Sequence, residues 1–188
     1  PSHPLALEWL RQCPYVVCCD GAANTYIRSG RMPEAIVGDG DSLLPDIKER
    51  YASLIHSEAE QETNDLSKAF RFCLSQERKR ITIMGATGKR EDHTIGNVSL
   101  LADYMEQAEV SMMTDYGIFV PIREDSMFES YIGQQISVFN MNSTALSAEG
   151  LAYPLSVFTN WWQGTLNEAL ARHFIIRTEG KVLVFRVF

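Results

Sequence analysis

The strongest constraint on the fold is a change of hydrophobic pattern near residue 116. Before that point, short apolar runs alternate with stretches whose apolar residues recur at helical spacing. Strands that alternate with helices typically build a mostly parallel sheet covered on both faces. After that point the runs are strand-like and separated by glycines, which is typical of a small antiparallel sandwich or half-barrel. The sequence therefore predicts an α/β fold with two parts that meet near residues 115–117.

The hydrophobic pattern also predicts where the elements lie. The expected strands cover residues 15–19, 35–37, 81–84, 118–122, 127–132, 135–139, 171–177 and 181–188. The expected helices cover residues 22–29, 46–55, 65–76 and 92–107. On the last helix Ile95 and Val98 are spaced for burial, and on the third Lys68 stands one turn beyond Asp65, where a surface ion pair is expected.

Composition and charge exclude several classes of protein. Apolar residues make up 45% of the chain and charged residues 22%, which is typical of a soluble globular protein without membrane spans. The 17 basic and 24 acidic residues give a net charge of −7, which argues against a nucleic-acid partner held by a broad basic surface. The four cysteines form no CxxC pair, and the first residues show no signal-peptide pattern, so we expect a cytoplasmic protein.

Small and acidic residues cluster where two early apolar runs end, at the strand edge where ligands bind in open α/β sheets. Asp20 opens the sequence DGAAN, where small residues would let a phosphate approach the backbone, although Asp20 could instead simply cap the following helix. Asp39 and Asp41 alternate with glycines in GDGDS. This pair favours Mg²⁺ with phosphate oxygens and waters over the alternative of a solvated turn.

Two further clusters precede helices. In QETND, residues 61–65, Thr63 or Asn64 could cap the helix that follows. The sequence MGATGKREDH, residues 84–93, follows a strand and opens a helix. Its glycines free the backbone and Arg90 is a bidentate phosphate fork, although a polar turn without ligand is the alternative. The segment is not a Walker A loop, because GxxxxGK[ST] is absent.

Taken in order, these four motifs resemble the thiamine pyrophosphokinase family, also called thiamine diphosphokinase. Asn97 extends the fourth motif, and a weaker match follows at residues 150–155 and at Asn167-Glu168, so that the resemblance covers nearly the whole chain. The chain departs from the usual family pattern in having Asn64 instead of Thr and Leu166 instead of Ser. Its first residues are helix-like, where family members usually begin with a strand.

The resemblance implies a fold, a reaction and an assembly. The expected fold is a Rossmann-like three-layer α/β domain at residues 1–116, which binds ATP, followed by a β-sandwich domain at residues 117–188, which binds thiamine. The expected reaction is the Mg²⁺-dependent transfer of pyrophosphate from ATP to the hydroxyl of thiamine, which releases AMP. The family acts as a homodimer with the thiamine site at the interface, and we expect neither a nucleic-acid partner nor a membrane.

The resemblance also implies roles for individual residues. The expected metal ligands are Asp39 and Asp41, and the expected catalytic residues are Asp39, Asp41, Asp65 and Asp92. The expected ATP contacts are Asp20, Asn24, Ser42, Lys68, Thr87, Gly88 and Arg90. The expected thiamine contacts are Gln61, Asp92 and Asn167, with Trp161 or Trp162 as candidate aromatic contacts for the thiazolium cation.

Within this scheme some alternatives stay open. Either Asp65 or Asp92 could accept the proton of the thiamine hydroxyl, and His93 is expected to orient Asp92. Two other functions compete with the kinase reading. A nucleotide-sensing module would need no Asp39–Asp41 pair, and a metal-dependent sugar-nucleotide transferase would leave the residues around Arg90 unexplained.

Overall fold

The computed structural model describes residues 1–58 and 62–188. The chain forms two compact units, which are described separately below. One comprises Leu7–Lys79, and the other comprises Pro1–Ala6 together with Arg80–Phe188. The expected division between residues 116 and 117 falls inside the second of these units and stays a prediction. Among the described residues, no helix is both long and apolar enough to pass through a lipid bilayer.

The unit of Leu7–Lys79 contains a three-stranded parallel sheet with the order β1-β2-β3. The strands are β1 (Val17–Cys19), β2 (Ala35–Gly38) and β3 (Ile55–Ser57). The helices are α1 (Pro4–Gln12), which spans the division between the units, α2 (Ala22–Arg28), α3 (Pro45–Arg50) and α4 (Asp65–Ser75), with a 3₁₀ turn at Ala52–Leu54.

Helices cover both faces of this parallel sheet. All four residues of β2 are buried, which fits the uninterrupted apolar run of a central parallel strand. Ile36 packs with Ile47 of α3 on one face, while Val37 packs with Ala69 of α4 on the other. The α4 helix begins where predicted, because the Asn64 side chain accepts a hydrogen bond from the Ser67 backbone at 2.9 Å.

The second unit contains two sheets. The larger has six strands in the order β10-β8-β12-β6-β5-β4, in which only β4 and β5 are parallel, and the smaller is antiparallel with the order β7-β11-β9. The strands are β4 (Arg80–Met84), β5 (Glu109–Met113), β6 (Gly117–Ile122), β7 (Ser126–Glu129), β8 (Gln135–Asn140), β9 (Leu146–Glu149), β10 (Asn167–Glu168), β11 (His173–Thr178) and β12 (Val182–Val187). The helices α5 (Glu91–Ser99) and α6 (Leu101–Tyr104) connect β4 to β5.

One hydrophobic core is shared by the two sheets of this unit. Val138 and Val184 reach it from the larger sheet, and Phe174 and Ile176 reach it from the smaller one. The Phe128 and Phe174 rings stack with their centroids 5.1 Å apart. The predicted α/β class is thus confirmed in its coarser form, as a mixed fold with a parallel sheet and antiparallel sheets.

Several sequence-based expectations were wrong in detail. The helix expected at residues 92–107 is two short helices, and no residue of α5 is buried, so Ile95 is 57% exposed. The apolar spacing continues only into α6, where Leu101 and Tyr104 are buried. The helix expected at residues 46–55 stops at Arg50, and the strand expected at residues 127–132 stops at Glu129.

Candidate functional site

Asp20 occupies a strained and buried position at the end of β1. Its backbone φ is +21°, and the residue is 3% exposed. Oδ2 accepts a hydrogen bond from the Ser42 backbone at 3.0 Å, whereas Oδ1 is buried without a hydrogen-bond partner among the described residues. Gly38 makes room for the aspartate, because a Cβ at that glycine would lie 2.8 Å from Asp20 Cβ. A buried carboxylate oxygen without a partner is costly unless a ligand satisfies it.

The loop that Asp20 contacts carries both carboxylates of the predicted metal pair. Asp39 and Asp41 are exposed, and Asp39 Oδ1 accepts a hydrogen bond from the Asp41 backbone at 3.0 Å. Gly40 between them has φ +77°, a left-handed conformation that favours glycine. Lys48 Nζ donates to the Gly40 carbonyl at 3.0 Å. These bonds give the acidic turn a defined shape.

Asn24 fixes the other end of the same loop. Its Nδ2 donates to the Ser42 carbonyl at 2.8 Å, and its Oδ1 accepts from the Leu44 backbone at 3.0 Å. Together with Asp20, the amide holds Ser42 by both its backbone N–H and its carbonyl group. Asn24 was predicted as an ATP contact, and the structure places it as a support of the acidic loop.

The residues of this loop fit a hard divalent cation. Asp20 offers one unsatisfied carboxylate oxygen, and Asp39 and Asp41 offer exposed carboxylates. An open depression of about 460 Å³ lies beside the turn and leaves space for other ligands. Within residues 1–58 and 62–188, no group of three or more His, Cys, Asp and Glu side chains forms a cluster that could hold a metal ion. Mg²⁺ suits such an incomplete set, because it usually keeps waters and takes substrate phosphate oxygens.

Lys68 differs from the expected surface lysine. Its side chain is 4% exposed, while that of Asp65 is 40% exposed, and Nζ lies 3.4 Å from Asp65 Oδ1. The ion pair therefore exists, but the surface location predicted for it was wrong, because this face of α4 packs on β1 and β2. Gln61, predicted to contact thiamine, lies outside the described residues.

The cysteines near this loop are free thiols. Burial raises the pKa of Cys18 to about 12, and burial together with the negative charge of Asp65 raises the pKa of Cys19 to about 12. Both thiols stay protonated at neutral pH and are therefore weak nucleophiles. Buried cysteines of this kind act as small apolar residues.

The loop after β4 forms the second group of predicted residues. Gly85 has φ +72° and Gly88 has φ +84°, and an added Cβ would meet nothing within 4 Å at either position. The backbone conformation, rather than lack of space, therefore favours glycine at both places. Asn97 Nδ2 donates to the Ala86 carbonyl at 2.8 Å and ties α5 to the loop, in which Thr87 is half-buried.

Arg90 and Asp92 contact each other directly. Arg90 Nε lies 3.1 Å from Asp92 Oδ1, and Nη2 lies 2.6 Å from Oδ2. Both side chains are exposed. The hydrogen bonds from Arg90, and then that from the His93 backbone at 2.9 Å, lower the pKa of Asp92. His93 thus contacts Asp92 through its backbone amide, and a carboxyl with a lowered pKa is a weaker proton acceptor.

Asn167 is buried and satisfied by backbone groups. It accepts from Tyr153 N at 3.0 Å and Glu168 N at 2.9 Å, and it donates to Tyr153 O at 2.8 Å. Leu166 has φ +61° and is 76% exposed. Large apolar side chains are exposed around this segment, including Tyr153 and Trp162.

Sequence reasoning missed Lys48 of α3, whose side chain supports the acidic loop. Its signal was present, because Pro45 fixes the start of α3 and Lys48 follows one turn later. A lysine at that place can reach back to the preceding turn. The pattern alone did not indicate that its partner would be the Gly40 carbonyl.

Models of two known protein families match this chain. The model of the thiamin pyrophosphokinase catalytic domain matches residues 6–113, and that of the thiamin pyrophosphokinase substrate-binding domain matches residues 117–185. The chain belongs to the thiamin pyrophosphokinase family. The resemblance drawn from the four motifs is confirmed.

Individual relatives agree with the family membership. Thiamine pyrophosphokinase 1 of Oryza sativa subsp. japonica is 30% identical over 129 residues, which cover 55% of this chain and 49% of the relative. Thiamin pyrophosphokinase 1 of Caenorhabditis elegans is 30% identical over 110 residues, which cover 54% of this chain and 45% of the relative. The chain thus spans about half the length of these relatives.

Solved structures of the family share the fold. The crystal structure of thiamine pyrophosphokinase from Bacillus subtilis superposes with a TM-score of 0.83 at 21% identity, over 98% of this chain and 92% of that chain. Yeast thiamin pyrophosphokinase superposes with a TM-score of 0.78 at 16% identity, over 100% of this chain and 82% of that one. At these identities the likeness concerns the fold.

Proposed function

We propose that this chain transfers a pyrophosphoryl group from ATP to the hydroxyl of thiamine, giving thiamine diphosphate and AMP with Mg²⁺ as cofactor. The observation that carries the proposal is the buried, unpartnered Oδ1 of Asp20, whose Oδ2 accepts a hydrogen bond from the loop that bears Asp39 and Asp41. The relatives named thiamine pyrophosphokinase support the choice of reaction. The same proposal includes two domain folds, a Rossmann-like catalytic domain and a β-sandwich substrate domain.

In this proposal the acidic loop holds the cation. Asp39 and Asp41 would hold the cation, and Asp20, whose Oδ1 has no hydrogen-bond partner among the described residues, would add negative charge beside it. When bound, Mg²⁺ would neutralise charge on the phosphate oxygens. Asn24 and Lys48 keep the loop in its binding shape through their bonds to backbone groups.

Phosphate binding is assigned to the loop after β4. The left-handed glycines turn the backbone, and Arg90 supplies a charged fork for phosphate oxygens. The proposed ATP contacts are Asp20, Asn24, Ser42, Lys68, Thr87, Gly88 and Arg90. Of these, Asn24 acts on the nucleotide through the loop that it supports.

The proton of the thiamine hydroxyl needs an acceptor if a base is used at all. Asp92 is bound by Arg90 and has a lowered pKa, which makes it the weaker of the two candidates. The side chain of Asp65 is 40% exposed, and its contact with Lys68 is long, at 3.4 Å. We therefore assign the acceptor role to Asp65.

Thiamine is assigned to Gln61, Asp92 and Asn167, with a second copy of the chain completing the pocket. Support for a second copy comes from the exposed apolar side chains around Asn167, because such a patch on a single chain is a typical protein interface. Trp161 and Trp162 are 45% and 73% exposed and remain candidates to face the thiazolium cation. The cytoplasmic location stays a prediction.

The test is a turnover assay on the purified chain with ATP, thiamine and Mg²⁺, in which AMP and thiamine diphosphate are separated and quantified. We expect equal amounts of both products, and none when thiamine is omitted. Asp41→Asn should lower kcat/KM by about 100-fold or more, because one charge on the proposed cation site is lost. Asp46→Asn, an exposed carboxylate on α3, is the matched control and should keep activity.

The two variants should unfold within about 0.5 kcal/mol of the wild type, because both side chains are exposed. Nucleotide binding without any product would indicate the sensing module instead. Full activity of Asp41→Asn would remove the acidic pair from the mechanism.

A further inference from the structure

We propose that Asp92 is a positioning residue for Arg90. Its carboxylate binds one edge of the Arg90 guanidinium, so that the other edge faces a nucleotide phosphate. This inference rests on the proposed function, since it concerns how the same loop binds ATP. It assigns Asp92 a role through Arg90, distinct from proton acceptance and from contact with thiamine.

The geometry of the pair supports this role. An arginine side chain has five N–H donors, arranged so that carboxylates and phosphates can each take two. Asp92 occupies Nε at 3.1 Å and one donor of Nη2 at 2.6 Å. The remaining donor of Nη2 and both donors of Nη1 have no other acceptor within the part of the chain that the structure describes. One donor of Nη1 and the remaining donor of Nη2 form the second fork, which matches a phosphate.

Both partners of the pair are anchored. Asp92 accepts a further hydrogen bond from the His93 backbone at 2.9 Å, in the first turn of α5. The carbonyl of Arg90 accepts from the backbone and the hydroxyl of Thr94, each at 3.0 Å. Arg90 is thus held at its backbone by Thr94 and at its guanidinium by Asp92.

Preorganisation explains why an exposed ion pair should matter. A free arginine on the surface samples many rotamers, and a phosphate would have to select one of them. The carboxylate removes most of those rotamers before the nucleotide arrives. Electrostatic repulsion acts in the opposite direction, because a carboxylate close to the phosphates also repels them. The two effects predict opposite signs for the same substitution.

The first experiment uses this opposition of signs. Binding of a nonhydrolysable ATP analogue with Mg²⁺, but without thiamine, is measured by calorimetry for the wild type and four variants. Glu91→Gln removes the neighbouring carboxylate, for which no ion pair occurs among the described residues, and serves as the control for lost charge. We expect Glu91→Gln to bind the analogue as well as the wild type or slightly better. Asp92→Asn should bind it about 10-fold more weakly.

The double variant tests whether Asp92 acts through Arg90. Arg90→Met should weaken binding at least as much as Asp92→Asn, and the two changes together should be no worse than Arg90→Met alone. Additive losses would overturn the inference, as would unchanged or tighter binding by Asp92→Asn. Because thiamine is absent, this readout is independent of turnover.

Steady-state kinetics separate positioning from proton transfer. Positioning predicts that Asp92→Asn raises the KM for ATP about 10-fold and leaves the acid limb of the pH–rate profile in place. Loss of kcat together with that limb would make Asp92 the proton acceptor and overturn the inference. A wild-type chain that binds nucleotide but makes no thiamine diphosphate would refute the proposed function alone. A wild-type chain that does not bind nucleotide would refute both.

Discussion

Asn167 allows a test of whether a residue predicted to contact thiamine is also needed for folding. The side chain is 4% exposed and makes three hydrogen bonds, all to backbone groups of Tyr153 and Glu168. Asn167→Ala would leave two N–H groups and one carbonyl without their partner. At about 1 kcal/mol for each bond, the free energy of unfolding should fall by about 3 kcal/mol. For a chain of this length, that corresponds to a fall in Tm of roughly 6–12 °C.

The assay is urea unfolding followed by tryptophan fluorescence, without thiamine. A Trp9→Phe background leaves only Trp161 and Trp162, so that the signal reports on the unit that contains Asn167. Glu168→Ala, in the same strand but with an exposed side chain, is the control and should change stability by less than about 0.5 kcal/mol.

The alternative outcome is equally clear. If Asn167→Ala unfolds like the wild type and alters only the KM for thiamine, the hydrogen bonds to the backbone contribute little. The residue would then be a ligand contact whose burial is incidental. A loss of stability in ligand-free protein cannot come from a missing thiamine contact.

Two further predictions concern the same unit. Leu166→Gly should raise the free energy of unfolding by about 1 kcal/mol in urea denaturation, because an exposed leucine at φ +61° is strained and glycine is not; a loss of stability would contradict this reading. Hydrogen bonds from the backbones of His3 and Ser2 lower the pKa of Asp115, so its contribution to stability is present above the unfolded pKa of about 3.9 and is lost as the pH falls through the folded pKa. The stability difference between the wild type and Asp115→Asn should therefore be complete at pH 7 and vanish in acid, and a difference independent of pH would show that the carboxylate charge is irrelevant.

The strand ends were the most predictable part of the candidate site. Asp20 and the acidic pair follow two apolar runs that pair as parallel strands, and the 3.0 Å hydrogen bond from the Ser42 backbone to Asp20 joins the segments after them. The Gly-rich loop after β4 was predicted by the same reasoning. In both cases a local signal was sufficient, because residues that directly follow a strand lie at the carboxyl edge of its sheet.

Features that depend on distant partners were not predictable. β10 is only two residues long and exists because Asn167 and Glu168 pair with β8, about thirty residues earlier in the chain. Lys68 is buried because α4 packs on the parallel sheet, although a lysine by itself indicates exposure. The mutual pairing of Arg90 and Asp92 depends on rotamers, which no spacing rule specifies.

The six-stranded sheet has a consequence for dividing the chain in the laboratory. Its parallel strands β4 and β5 continue directly into antiparallel β6 across the turn where the two family matches meet. A fragment that stops at Asp115 would carry β5 with a bare edge, whose amides and carbonyls could recruit strands from other molecules. Halves expressed separately should therefore precipitate unless they are mixed while refolding, and chimaeras between relatives should exchange the whole span from β4 to β12.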